Sequence, residues 1–135
     1  MKKQAIWIAG AFFGGFILLS MTTFTSNDQE KWDVPAKYQK MVNPYADAAD
    51  DENIGRIVYA KHCKSCHGSK GKGDGTKAKS IDTPMGDFTD DSFKNQTDGA
   101  LYYKTYFGRD DMPSFDKKIT AEEDKWLVIN YIKNL

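Results

Sequence analysis

Cys63-Lys64-Ser65-Cys66-His67 holds both cysteines of the 135-residue chain and one of its two histidines. Two thiols three residues apart, with an imidazole directly after the second, form the attachment signature of haem c. One turn of chain presents the thiols to the two vinyl groups of the macrocycle, and the next side chain falls beneath it with a ring nitrogen available to iron. Three other chemistries use cysteine pairs. A thioredoxin-like dithiol follows a buried strand in a βαβ setting, whereas Ile54 to His62 reads as helix. A zinc site spreads four ligands over two hairpins or knuckles; His62, Cys63, Cys66 and His67 are too close in sequence to wrap a tetrahedral ion. A disulfide between Cys63 and Cys66 is sterically awkward and leaves His67 unexplained.

Gly68 to Gly75 holds four glycines with Lys70, Lys72 and Asp74 among them, which excludes a stable helix or strand. No strand leads into it and no helix-opening Gly-Lys-Ser/Thr follows, so it is not a phosphate loop. It reads as a tight, lysine-bearing loop beside the haem. From the Cys-x-x-Cys-His motif through this Cys-His-Gly-x-x-Gly-Lys-Gly-Asp-Gly order, the chain resembles the class I cytochromes c, of the single-haem, membrane-anchored bacterial type. That family places a proline after the last glycine, where this chain has Thr76. It also uses a backbone carbonyl to orient the ligand histidine. Which carbonyl serves His67 stays open.

Later in the chain, Gly108-Arg109-Asp110-Asp111-Met112-Pro113-Ser114-Phe115 resembles the family's axial-methionine loop. A thioether is a soft, neutral ligand that favours ferrous iron opposite histidine. The resemblance therefore implies covalent haem c on Cys63 and Cys66, with His67 and Met112 as iron ligands. Met85 is the rival methionine, set on the wrong edge by its place just after the glycine loop. His62 reads as a surface histidine.

The helices follow from periodicity and caps. Asn53 is the expected cap of a helix with Ile54, Ile57, Val58 and Tyr59 on one face. Gly55 and Tyr59 match the family's crossing point of first and last helices. Ser80 to Asn95 reads as an irregular loop. Thr97 or Asp98 caps a helix ended by Gly108, with Leu101, Tyr102, Tyr106 and Phe107 on its buried side. Thr120-Ala121-Glu122-Glu123 reads as a capping box. It opens a last helix whose stripe is Leu127, Val128, Tyr131, Ile132 and Leu135, with Trp126 alongside. Trp126 and the tyrosines read as core. No strand and no internal repeat emerges.

Residues 1–24 pair Lys2 and Lys3 with an uncharged run from Ala5 to Phe24, long enough to span a bilayer. They read as a retained N-terminal anchor or a secretory signal peptide. Either places the rest on the periplasmic side of the cytoplasmic membrane, anchored there or secreted. Residues 25–52 read as a tether or docking segment, whose Trp32, Val34, Tyr38 and Met41 could wrap the haem domain. Residues 53–135 are the haem domain. Basic and acidic residues balance at 19 each, yet Lys61 to Lys79 carries six lysines against Asp74. Such a rim suits redox protein partners with an acidic docking face. Its lysines alternate with glycines and not aromatics, which excludes nucleic acid as a partner.

The expected fold is all-α, a small cytochrome c fold of three main helices around one covalent haem. The expected function is one-electron transfer between membrane respiratory complexes, by a carrier and not an enzyme, with no small-molecule substrate. The alternatives are a fixed monohaem subunit of a quinol-oxidising or reductase complex, and a haem enzyme or gas sensor with an open sixth site.

Overall fold

The computed structural model describes residues 32–135. The expected anchor or signal segment, 1–24, lies outside them, as do residues 25–31. Among the described residues no helix is long and apolar enough to cross a membrane. The elements are α1 (Ala36–Gln39), α2 (Ile54–His62), α3 (Lys64–His67), α4 (Asp91–Lys94), α5 (Asp98–Phe107) and α6 (Glu122–Lys133), with a 3-10 turn at Ala78–Ser80. Among these residues the only β feature is an isolated bridge between Arg109 and Met112.

The core is built where α2 crosses α6. A Cβ on Gly55 would lie 2.3 Å from the Leu127 carbonyl oxygen, so only glycine permits this approach. Beside it the rings of Tyr59 and Tyr131 meet with centroids 5.3 Å apart. Trp126, Val128 and Ile129 on α6 are fully buried, joined by Leu101 and Tyr106 from α5. Two expected core residues are not there. Ile57 and Phe107 are half exposed, because the buried arcs of their helices are narrower than their apolar sequences.

The helix ends differ from expectation at two of three sites. Asn53 does not cap α2: it takes a left-handed conformation with φ of 57° and makes no capping bond. Asp50 does that work, its carboxylate accepting from the Ile54 and Gly55 amides at 2.6 and 2.9 Å. The capping box at Thr120 does not form, since α6 starts one residue later, with Ala121 as its N-cap. In the first turn of α6, the Glu122 side chain accepts from Trp126 Nε1–H and the Tyr102 hydroxyl. Thr97 caps α5 as its sequence suggests, accepting from the Ala100 amide at 3.1 Å.

The stretch from Trp32 to Tyr45 is packed on the helices and forms a strap. Val34 and Asn43 are buried. Asn43 donates to Asp98 and Asn130 and accepts from the Tyr45 amide, and Asn130 donates back to the Tyr45 carbonyl. Every polar atom of that buried amide is used, which removes the cost of burying it. Gly99 lets α1 approach, for a Cβ there would lie 2.1 Å from the Tyr38 carbonyl oxygen.

Candidate haem site

α2 delivers Cys63 at its C-cap, and α3 carries Cys66 and His67 one turn later. The glycine loop then runs back along that turn. Gly73, Gly75 and Lys77 amides donate to the carbonyls of His67, Cys66 and Ser65 at 3.0, 3.1 and 2.8 Å. Gly75 passes so close that a Cβ would fall 2.4 Å from the Ser65 oxygen. The Tyr59 hydroxyl clamps the Gly68 carbonyl at 2.6 Å, and the Phe88 amide donates to Gly71. The loop thus fixes the Cys-His turn from outside.

A cavity of about 930 Å³ opens over this turn, near the top of the roughly 300–1,000 Å³ typical of small-molecule and cofactor sites. Cys63, Cys66, His67, Met85 and Met112 all line it, with Leu101, Phe115 and Ile132 among its apolar walls. The chain's described sequence candidates therefore converge on one space. Met85 sits on the glycine-loop side, its Cβ 3.0 Å from where a Cβ of Gly73 would be. Met112 comes from the loop after α5, held by paired backbone bonds with Arg109. His67 stacks on Phe88 with centroids 4.5 Å apart.

Burial lowers the His67 pKa, with a smaller opposing pull from the Met85 backbone. Nδ1 is buried and completes no hydrogen bond with that group. A neutral imidazole is the form that binds metal. Burial and the neighbouring Cys66 push the Cys63 thiol up to about 12, the reverse of the lowered pKa that a redox dithiol requires. The two cysteines are not joined as a disulfide. No group of three or more His, Cys, Asp or Glu among the described residues is placed to hold a metal, which disposes of the zinc reading. Apolar walls, two thiols, an imidazole and thioethers in one cavity fit a covalently held haem.

His62 is not simply a surface residue: it lines the cavity and meets Phe115 edge-on, centroids 5.8 Å apart. Burial and then the Lys61 and Lys118 charges lower its pKa. The sequence offered Trp32 and Val34 as residues that could wrap the haem domain, but not as parts of the cavity wall, where both lie. Trp32 stacks against Arg109 and Lys104, its ring centroid 4.7 and 5.7 Å from their charged groups. Nothing local to Trp32 signals this, because its partners are more than 70 positions away.

The family model described as cytochrome c oxidase, cbb3-type, subunit III matches residues 50–132. No curated protein matches the chain. Among solved structures, the KustC0563 c-type cytochrome aligns at 24% identity and TM-score 0.50, over 59% of this chain and 94% of that one. A chain of the Kuenenia stuttgartiensis reducing HAO-like protein complex Kustc0457/Kustc0458 aligns at 27% identity and TM-score 0.52, over 61% of this chain and 43% of that one.

Proposed function

The chain belongs to the family of cbb3-type cytochrome c oxidase subunit III, a family of c-type cytochromes, and from that premise we propose a one-electron carrier with His67 and Met112 as iron ligands. It carries covalent haem c, and its chemistry is haem-based electron transfer. When bound, the haem supplies a ferric/ferrous couple that takes up and releases one electron. Cys63 and Cys66 hold it through thioethers in this reading. Met85 shares the glycine-loop side with His67, which supports Met112 as the residue from the other wall. With His67 and Met112 as its ligands the iron would have no open site for a substrate, and the apolar lining would keep water from it.

The single observation that carries this reading is the convergence of Cys63, Cys66, His67 and Met112 on one cavity. Lys61, Lys64, Lys70, Lys72, Lys77 and Lys79 are all exposed, and Lys61 and Lys77 reach the cavity rim. They suit a transient partner with an acidic face. The working place is the periplasmic side of the membrane, with residues 1–24 as anchor or signal. A second reading, a fixed subunit of a larger redox complex, is favoured by the oxidase subunit that names the family and by the complex that holds one structural neighbour. Co-purification with other subunits in mild detergent separates the two.

The test is the visible spectrum of the purified protein, oxidised and reduced, with and without carbon monoxide. A low-spin spectrum with the weak far-red sulfur-to-iron band, indifferent to carbon monoxide, is expected. Met112→Ala should abolish that band and admit carbon monoxide, while Met85→Ala keeps it. A high-spin wild type that binds carbon monoxide readily would overturn the carrier reading.

A further inference from the structure

We infer that Trp32, Lys104 and Arg109 form the cationic end of the cofactor cavity and hold the two propionate carboxylates of the haem. Trp32 lies outside residues 50–132, which the family model matches, so this wall is supplied by the strap. The inference rests on the haem c itself and on neither proposed iron ligand.

All three side chains line the cavity. Arg109 and Lys104 both lie within stacking range of one indole, where a cation and a ring attract. One ring thereby gathers two like charges at one wall. Burial, and then Arg109, push the Lys104 pKa down, so the pair is held together against its own repulsion. Lys104 donates at 2.6 Å to Gln96, a neutral acceptor that leaves its charge uncompensated there. Arg109 pairs with Asp110 at 3.2 Å.

The carboxylates lining the cavity are Asp87, Asp90 and Asp111. Asp87 accepts from the Thr89 amide and hydroxyl, and Asp111 from the Thr83 hydroxyl. Of the other lining cations, Lys118 sits singly over the Phe115 ring, 5.1 Å from its centroid, so among the described residues only the Trp32 ring gathers two of them. Haem carries two carboxylates on one edge of an otherwise apolar disc. Set against Lys104 and Arg109, that edge meets charge-assisted donors, which are the strong class of hydrogen bond. The apolar remainder then faces Leu101, Phe115 and Ile132.

The test uses holoprotein whose haem is ¹³C-labelled at the propionate carboxylates, read by redox-induced infrared difference spectra. Lys104→Gln and Arg109→Gln should each move the labelled carboxylate bands and lower the reduction potential, since a cation opposing the ferric charge is gone. Lys104→Arg should leave the bands in place. Trp32→Leu should move them and Trp32→Phe, which keeps an aromatic face, should not. Lys104→Met replaces the glutamine variant if that one fails to fold. Labelled bands unmoved in both Lys104 and Arg109 variants would overturn the inference, as would an equal movement in Lys77→Gln. The visible spectrum reports the iron ligands separately, so failure here leaves the proposed ligation standing.

Discussion

Tyr59 joins the core to the Cys-His turn through its hydroxyl, which donates to the Gly68 carbonyl. Tyr59→Phe leaves that carbonyl buried without its donor and should cost about 1–2 kcal/mol, read as a lower denaturant midpoint at unchanged slope. Burial raises the phenol pKa of Tyr59 and Tyr106, and of Tyr102 to about 12, with Glu122 adding to the last. Each folded value lies above the unfolded one of about 10, so the folded state keeps its protons longer. The stability this gives is whole below about pH 10 and is lost as the pH rises through the folded values. Denaturant titrations at pH 8, 10 and 12 check it; equal stability at all three would contradict these shifts. At this scale the placing of Cys63, Cys66 and His67 together was legible because neighbours in sequence share one turn. Met112 was preferred to Met85 from its place late in the chain, but the wall each occupies is set by loops that fold onto distant residues. Asp50 escaped notice as a cap because its carboxylate reaches four and five positions ahead, past the nearer Asn53.

Two glycines do different work between elements. Gly55→Ala drives a Cβ into the backbone of α6, which cannot rotate away as a side chain could. Alanine gains about 1 kcal/mol of helix propensity, but overpacking of this kind costs about 1–3 kcal/mol and the contact at 2.3 Å is severe. The net expectation is destabilisation of the whole domain in a denaturant titration; a stabilised variant would reject the close crossing. Gly99→Ala strikes the Tyr38 carbonyl and the Met41 side chain. It should loosen the strap first, visible as proteolysis between residues 32 and 48 at conditions where α2 and α6 remain protected. The helices α5 and α6 were readable because 3.6-residue periodicity is a local signal. The strap was readable only as an excess of apolar residues, since Asn43 and Gly99 act through partners that no window of sequence brings together.

A cavity of about 930 Å³ in a domain this small leaves the core open where the proposed haem would complete it. Cys63→Ala with Cys66→Ala, which removes both proposed points of attachment, should leave most of the native far-ultraviolet helicity unformed. Native-like helicity in that double variant would show that the helices close without their cofactor. At the scale of the molecule the all-α class and the order of helices were legible, whereas the contribution of Trp32, Val34 and Gln39 to the cavity wall needed the tertiary fold. That strap also sets how the domain would bear a pull. Tension applied at residue 32 meets Trp32 and Val34 first, then Asn43, whose bonds to Asp98 and Asn130 tie it to the two helices α5 and α6. Those bonds pass the load to α5 and α6 first, and the helix that leads to Cys63 and His67 takes it through the crossing of α6 with α2.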